Sequence, residues 1–187
     1  KPFSFQHLWK ALVEICTHPI AFGYTLGAGL VSGAFMGYLN SAQQIFQVQY
    51  GLGTKFPLYF GVIALAIGGA SFTNGRLVMR YGMRSLSQWS LAGLVVLSVG
   101  FSMFAFFVEG HPPLPAFMAY MMASFFCVGI LFGNLNALAM EPLGHIAGIG
   151  AAVVGSLSLF IAVPLGTLIG QGYNGTVLPL VVGFAVL

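Results

Sequence analysis

Charge is what this sequence lacks. Asp, Glu, Lys and Arg make up only 5% of its 187 residues, against roughly 25% in ordinary soluble domains. A water-soluble fold of this size cannot cover its surface with so few charges, so lipid must be the solvent for much of it. The acidic residues are three, Glu14, Glu109 and Glu141, and no Asp, Glu, Lys or Arg falls near the centre of an apolar run. Cysteine is scarce too. Cys16 and Cys127 are far apart and belong to no CxxC or metal-spaced cluster, so both read as small apolar fillers without a disulfide. The four histidines, at 7, 18, 111 and 145, are separate and lie outside the apolar runs, and no metal site is expected. With a net charge of +3 and no basic run interleaved with stacking aromatics, the chain is not expected to bind nucleic acid. Its first residues do not read as a signal peptide; it begins at Lys1 without Met and stops at Leu187 inside an apolar run shorter than the roughly 20 residues of a span. We therefore expect it to be part of a longer protein.

Hydrophobic residues are abundant at 58%, with 26 Gly and 18 Phe. Residues 1–18 place Phe5, Leu8, Trp9, Leu12 and Cys16 at helical spacing, with Gln6, His7, Lys10 and Glu14 between them. This predicts an amphipathic helix at the membrane surface. His18-Pro19 ends it. The remainder, residues 19–187, reads as a transmembrane bundle. Its spans are predicted at about 19–40, 56–73, 86–108, 116–140 and 146–170, with a partial span at 176–187. Residues 41–55 form a polar connection, 74–84 a basic loop, and 109–115, 141–145 and 171–175 short turns. Lys1, Lys10, Arg76, Arg80 and Arg84 fall on one side and only Lys55 on the other. The positive-inside rule makes the Arg-rich side cytoplasmic, and puts Gln43, Glu109 and Asn174 outside.

At 100° per residue the first span has two faces. Gly23, Gly29, Gly33 and Gly37 cluster on one, and Tyr24, Phe35 and Tyr38 on the other. Small residues four apart recur at Gly129 and Gly133, at Gly144 and Gly148, and at Gly166 and Gly170. Such spacing lets helix backbones approach closely. Either static packing or faces that slide during transport would use it. Pro164, in the middle of the fifth span, predicts a kink.

Residues 74–84 read Asn-Gly-Arg-Leu-Val-Met-Arg-Tyr-Gly-Met-Arg. The stretch resembles the signature loop of the major facilitator superfamily, Gly-x-x-x-Asp-Arg-x-Gly-Arg-Arg. Gly75, Arg80, Gly82 and Arg84 match, and Arg76 follows Gly75. Met79 stands where the family has Asp, and Met83 where it has a basic residue. The second half of the family usually carries the degenerate copy, so the resemblance points to a C-terminal half. Residues 133–148, with Asn134, Asn136, Pro142, Ala147 and Gly148, resemble the turn between the fourth and fifth helices in the Bcr/CflA drug-resistance branch. Residues 33–53, with Tyr38-Leu-Asn-Ser and Gln49-Tyr50-Gly51, are similar to the same branch.

The resemblance implies an all-α polytopic membrane protein, a six-helix half with its sixth helix truncated. It also implies alternating access, with export of amphipathic small molecules coupled to the proton gradient and no other cofactor. The partners would be a small-molecule solute, membrane lipid and a missing N-terminal half, in the inner (plasma) membrane of a bacterium. An intramembrane carboxylate is the default proton carrier, and none is present, so it is expected in that missing half. This chain would then supply cavity walls. Tyr24, Phe35 and Tyr38 are candidates, with Phe125, Asn134 and Asn136 on the fourth span, where Asn136 shares the side of Phe125 and Asn134 points elsewhere. Packing against helices or lipid would use the same side chains. A buried Asn could instead bond to a neighbouring helix. The basic loop is expected to act as a hinge and lock, or as a plain topology anchor. A metabolite or sugar permease of the same superfamily is the alternative function. A channel would need a filter loop or charged ring, and an intramembrane protease a Gly-x-Ser-Gly and a deep His; the sequence offers neither.

Overall fold

The structure is a computed structural model that describes residues 5–187, with side chains from residue 9 onward. Lys1 and the side chains of Phe5, His7 and Leu8 lie outside the described residues. Among the described residues every regular element is helical. The helices are α1 (Phe5–Thr17), α2 (Pro19–Gln43), α3 (Phe56–Tyr81), α4 (Met83–Phe107), α5 (Leu114–Met140), α6 (Ala147–Gln171) and α7 (Leu178–Val186). Among the described residues four helical stretches are long and apolar enough to cross a membrane: Pro19–Gln49, Gly53–Tyr81, Met83–Phe107 and Leu114–Gln171. The last of these is α5 and α6 joined by a 3-10 turn, Glu141–Ile146. A 25-residue helix such as α2, α4 or α6 rises about 37 Å, more than the ~30 Å hydrocarbon core. The chain is a multi-pass helical membrane protein.

Proline and glycine set the boundaries. His18 caps α2 by accepting from the Ala21 amide at 3.4 Å, and Pro19 takes the first helical position, where its missing N–H costs nothing. Two connections are more helical than the composition suggests. The polar connection at 41–55 continues α2 to Gln43 and then a π-helical turn, Gln44–Gln49. Glutamine is a good helix former, and the first breaker is Gly51, at φ 62°. The basic loop shrinks to one residue. Helix α3 runs on through Asn74, Gly75, Arg76 and Arg80 to Tyr81, and α4 begins at Met83. Gly82 alone makes the turn, at φ 78° and ψ 155°, a conformation closed to L side chains. Gly75 sits inside α3 and takes no part in it. A single helical glycine costs only ~1 kcal/mol, which a long helix tolerates.

The bundle is organised around α2 and α5. Helix α2 packs on α6, α5 and α7; α5 also meets α3 and α4; α1 lies against α6. The α2–α6 contact is the closest. A Cβ placed on Gly37 would lie 2.7 Å from Ile169 Cγ2, and one on Gly29 2.9 Å from Ile161 Cβ. In return Gly166 lies under Met36, and Gly170 under Asn40, with 2.5 Å to the Asn40 Cβ. Each helix offers grooves to the other's side chains, and dispersion holds them where lipid provides no hydrophobic force between helices. Gly23 stands apart from this face, with open space beside it. Asn40 Nδ2 donates to the Gly166 carbonyl at 3.1 Å, two residues beyond Pro164. Gly129 serves the α3–α5 contact, where its Cβ would meet Ala70 Cβ at 2.7 Å.

Candidate functional site: an aromatic wall and a clasp at the basic end

The faces predicted for α2 separate in space. Opposite the glycines that meet α6, Phe35 and Tyr38 turn toward α3 and α5. The Phe35 ring centroid is 5.6 Å from that of Phe125 and 5.4 Å from that of Phe132, the latter edge-on. Tyr38 stacks on Phe60 at 5.7 Å and meets Phe125 edge-on at 4.7 Å. Phe125 continues to Phe184 of α7 at 6.2 Å. Offset and edge-to-face pairs of this kind contribute about 0.5–1.5 kcal/mol each beyond area burial. One atom in the wall is unsatisfied: Tyr38 is 2% exposed, and its hydroxyl has no hydrogen-bond partner. A buried hydroxyl without a partner costs about 1–3 kcal/mol. Tyr24 sits about three helical turns from Phe35 toward the basic end, half-buried and outside these ring contacts.

The two asparagines of α5 have different surroundings. Asn134, 3% exposed, exchanges two hydrogen bonds with Asn74 of α3 and lies away from the aromatic wall. Asn136 is exposed and donates to the Phe132 carbonyl of its own helix at 2.8 Å. Neither amide points into the wall of Phe35, Tyr38 and Phe125.

At the end of the bundle that carries the arginines, side chains join three elements: α1, α4 and the turn after α5. Arg84, two residues beyond the Gly82 turn, reaches Glu141 at 2.9 Å and ties the start of α4 to the end of α5. Glu14 of α1 meets His145 Nε2 at 2.8 Å. Both partners lie in the Glu141–Ile146 turn, which is anchored by the fully buried Leu143. Arg76 lies over the Phe72 ring at 4.7 Å and Arg80 over Tyr81 at 5.2 Å. The loop's pairing residue is therefore Arg84, and its partner Glu141 carries no signature in a single sequence. At the opposite end Gln49 donates to the Gly110 carbonyl at 3.0 Å and Tyr50 to the Pro112 carbonyl at 2.9 Å. Burial pushes the Tyr50 hydroxyl well above the ordinary tyrosine range, so it remains a donor. Gly110, at φ 79°, fits beneath Thr176.

No family model matches the chain, and no solved structure matches it. It is similar to an uncharacterized MFS-type transporter, YdgK, of Bacillus subtilis (strain 168), with 27% identity over 171 residues. That alignment covers 90% of this chain and 42% of the relative, so the chain spans about two fifths of the relative's length. The similarity is to a transporter and not to an enzyme.

Proposed function

We propose that this chain forms the C-terminal six-helix half of a major facilitator superfamily transporter of the Bcr/CflA type. It lines, with another half, a path for export of amphipathic small molecules against the proton gradient in a bacterial inner membrane. The observation that carries the reading is the charge-free aromatic wall of Phe35, Tyr38 and Phe125, which holds one unpartnered hydroxyl. Solute pockets are mostly apolar and aromatic with few polar groups. A sugar site needs many hydrogen-bonding groups, and this wall offers one. The similarity to an MFS-type transporter over nine tenths of the chain supports the same reading.

In this proposal the Arg76, Arg80 and Arg84 end is cytoplasmic, and the Arg84–Glu141 pair with the Gly82 turn is the lock. The proton-carrying carboxylate lies outside this chain, since Glu14, Glu109 and Glu141 all sit at helix ends or turns. Cells expressing the intact protein should accumulate less of an amphipathic fluorescent cation than control cells, and a protonophore should abolish the difference. Uptake of a sugar or other polar metabolite with no effect on dye would assign the permease function instead.

A further inference from the structure

Helix α3 is packed on one side only. Ile63 and Ala70, both fully buried, turn toward the bundle. On the opposite side Leu58, Leu65, Phe72 and Met79 recur every seven residues and are 67%, 74%, 68% and 87% exposed. Between them Gly61, Gly68 and Gly75 keep the same period, and a Cβ on any of the three would meet nothing within 4 Å. At 100° per residue all seven positions fall within an arc of about 100°.

The spacing alternates three and four, a large side chain and then a glycine, along the whole helix. This is the seam of two helices in left-handed contact, where each large side chain enters a hole on the partner. Fluid lipid imposes no such period. A helical glycine costs about 1 kcal/mol relative to alanine, and a stripe of them offsets that cost only where another backbone comes close. The protein shows both situations. Where α2 meets α6, Gly29, Gly37, Gly166 and Gly170 each receive a side chain. The uncovered side of α4 is instead mostly bulky, with Val96, Val99, Met103, Phe106 and Phe107.

Charge indicates the partner's chemistry. Arg76 stands at the rim of the stripe, over the Phe72 ring at 4.7 Å, and makes no ion pair among the described residues. The carboxylates of Glu14 and Glu141 are engaged by His145 and Arg84. Stacking on Phe72 uses the flat face of the guanidinium and leaves its N–H edge free. A helix seated on the stripe would cover this cation, and a covered cation needs a carboxylate.

We propose that the Leu58, Leu65, Phe72 and Met79 face of α3 docks one transmembrane helix from the part of the same protein beyond this chain, in left-handed contact. That helix carries an Asp or Glu level with Arg76. The proposal rests on the reading of the chain as a transporter half. The similar MFS-type transporter extends well beyond its match to this chain, which covers 42% of it, so a protein of that length has room for such a helix.

The test places a photoreactive phenylalanine analogue singly at positions 58, 65 and 79 of the intact protein, with position 106 of α4 as the control. Vesicles are reconstituted from a mixture of isotopically light and heavy protein, and adducts are mapped by mass spectrometry. The three α3 positions should label one apolar segment outside residues 1–187, at points about seven residues apart, with light joined only to light and heavy to heavy. Position 106 should label lipid. Arg76→Glu should lower the yield at 79 about fivefold, and changing the facing carboxylate to Arg should restore it. Gly68→Leu should lower the yield at 65 by a similar factor, whereas Gly100→Leu on the open side of α4 should not. Lipid adducts alone at the three positions, or light–heavy adducts from a second copy, would overturn the proposal. So would a labelled segment with no carboxylate level with Arg76. The adduct map needs no further substitution, so it reports even if Gly68→Leu does not fold. Cross-linking requires no transport, so dye export without these adducts would remove this contact and leave the transporter reading standing.

Discussion

Asn74 and Asn134 face each other across the α3–α5 interface and exchange two hydrogen bonds. Asn74 Nδ2 reaches Asn134 Oδ1 at 3.1 Å, and Asn134 Nδ2 reaches Asn74 Oδ1 at 2.9 Å. The pair sits beside the close approach of Gly129 to Ala70, where the short interhelical distance lets two such short side chains meet. In a membrane each amide is the other's substitute for water. Asn134→Leu alone strands the Asn74 amide and should destabilise the protein. Asn74→Leu with Asn134→Leu removes both and should cost less than the two single changes added together. The coupling in a double-mutant cycle of thermal stability should be about 0.6–2 kcal/mol. Additive single effects would show that the pair is not a functional contact between the helices.

The α2–α6 interface predicts opposite signs for one substitution at two glycines of the same helix. Gly23 has open space beside it, so Gly23→Ala should gain up to about 1 kcal/mol of helix stability. At Gly37 the new methyl would press on Ile169, and overpacking of about 1–3 kcal/mol should outweigh that gain. Melting of the detergent-solubilised protein should rise for Gly23→Ala and fall for Gly37→Ala. Equal shifts would mean that the helices do not approach as described.

The clasp between Arg84 and Glu141 is exposed, at 60% and 51% of the two side chains, so its effect on stability should be small, about 0–1 kcal/mol. Its proposed role is kinetic. Arg84→Glu and Glu141→Arg should each change transport rate with little effect on folding, and the double exchange should restore the rate. Normal turnover in both single variants would leave the arginines as topology anchors alone.

Orientation is tested separately by single cysteines in intact cells. Position 109 should react with an impermeant thiol reagent from outside, and position 80 only after the membrane is breached. The reverse pattern would invert the topology.

Much of this architecture was legible from the sequence, for physical reasons that also show where reading stopped. Long apolar runs separated by Pro and Gly identify membrane helices, because lipid forces the backbone to bond within each segment. The opposed faces of α2 followed from 100° periodicity: Gly29, Gly33 and Gly37 meet α6 while Phe35 and Tyr38 meet α3 and α5. Polarity misled the helix ends. Residues 74–81 are polar and basic but contain no strong breaker, so α3 continues to the one glycine at positive φ. Pairings between distant segments were out of reach. Asn74 with Asn134 and Arg84 with Glu141 are separated by about sixty residues, and no local pattern records which helices become neighbours. Periodicity set Asn134 away from the Phe125 side and left a bond to a neighbouring helix open, but it does not say which helix lies opposite, so the Asn74 partner could not be named.

The central claim is that the aromatic wall of α2 and α5 contacts a transported amphipathic solute. It is tested most directly by proton-driven transport of a fluorescent amphipathic cation in vesicles reconstituted with the intact protein, comparing the native form with Tyr38→Phe and Tyr38→Ala. Removing the unpartnered hydroxyl relieves a buried polar group, so Tyr38→Phe should fold at least as well as the native protein. The account predicts that Tyr38→Phe retains transport but shifts the preference toward solutes without a hydrogen-bonding group. It predicts that Tyr38→Ala, with correct insertion, loses most affinity for the cation. Native transport kinetics and solute preference in a correctly inserted Tyr38→Ala protein would contradict it.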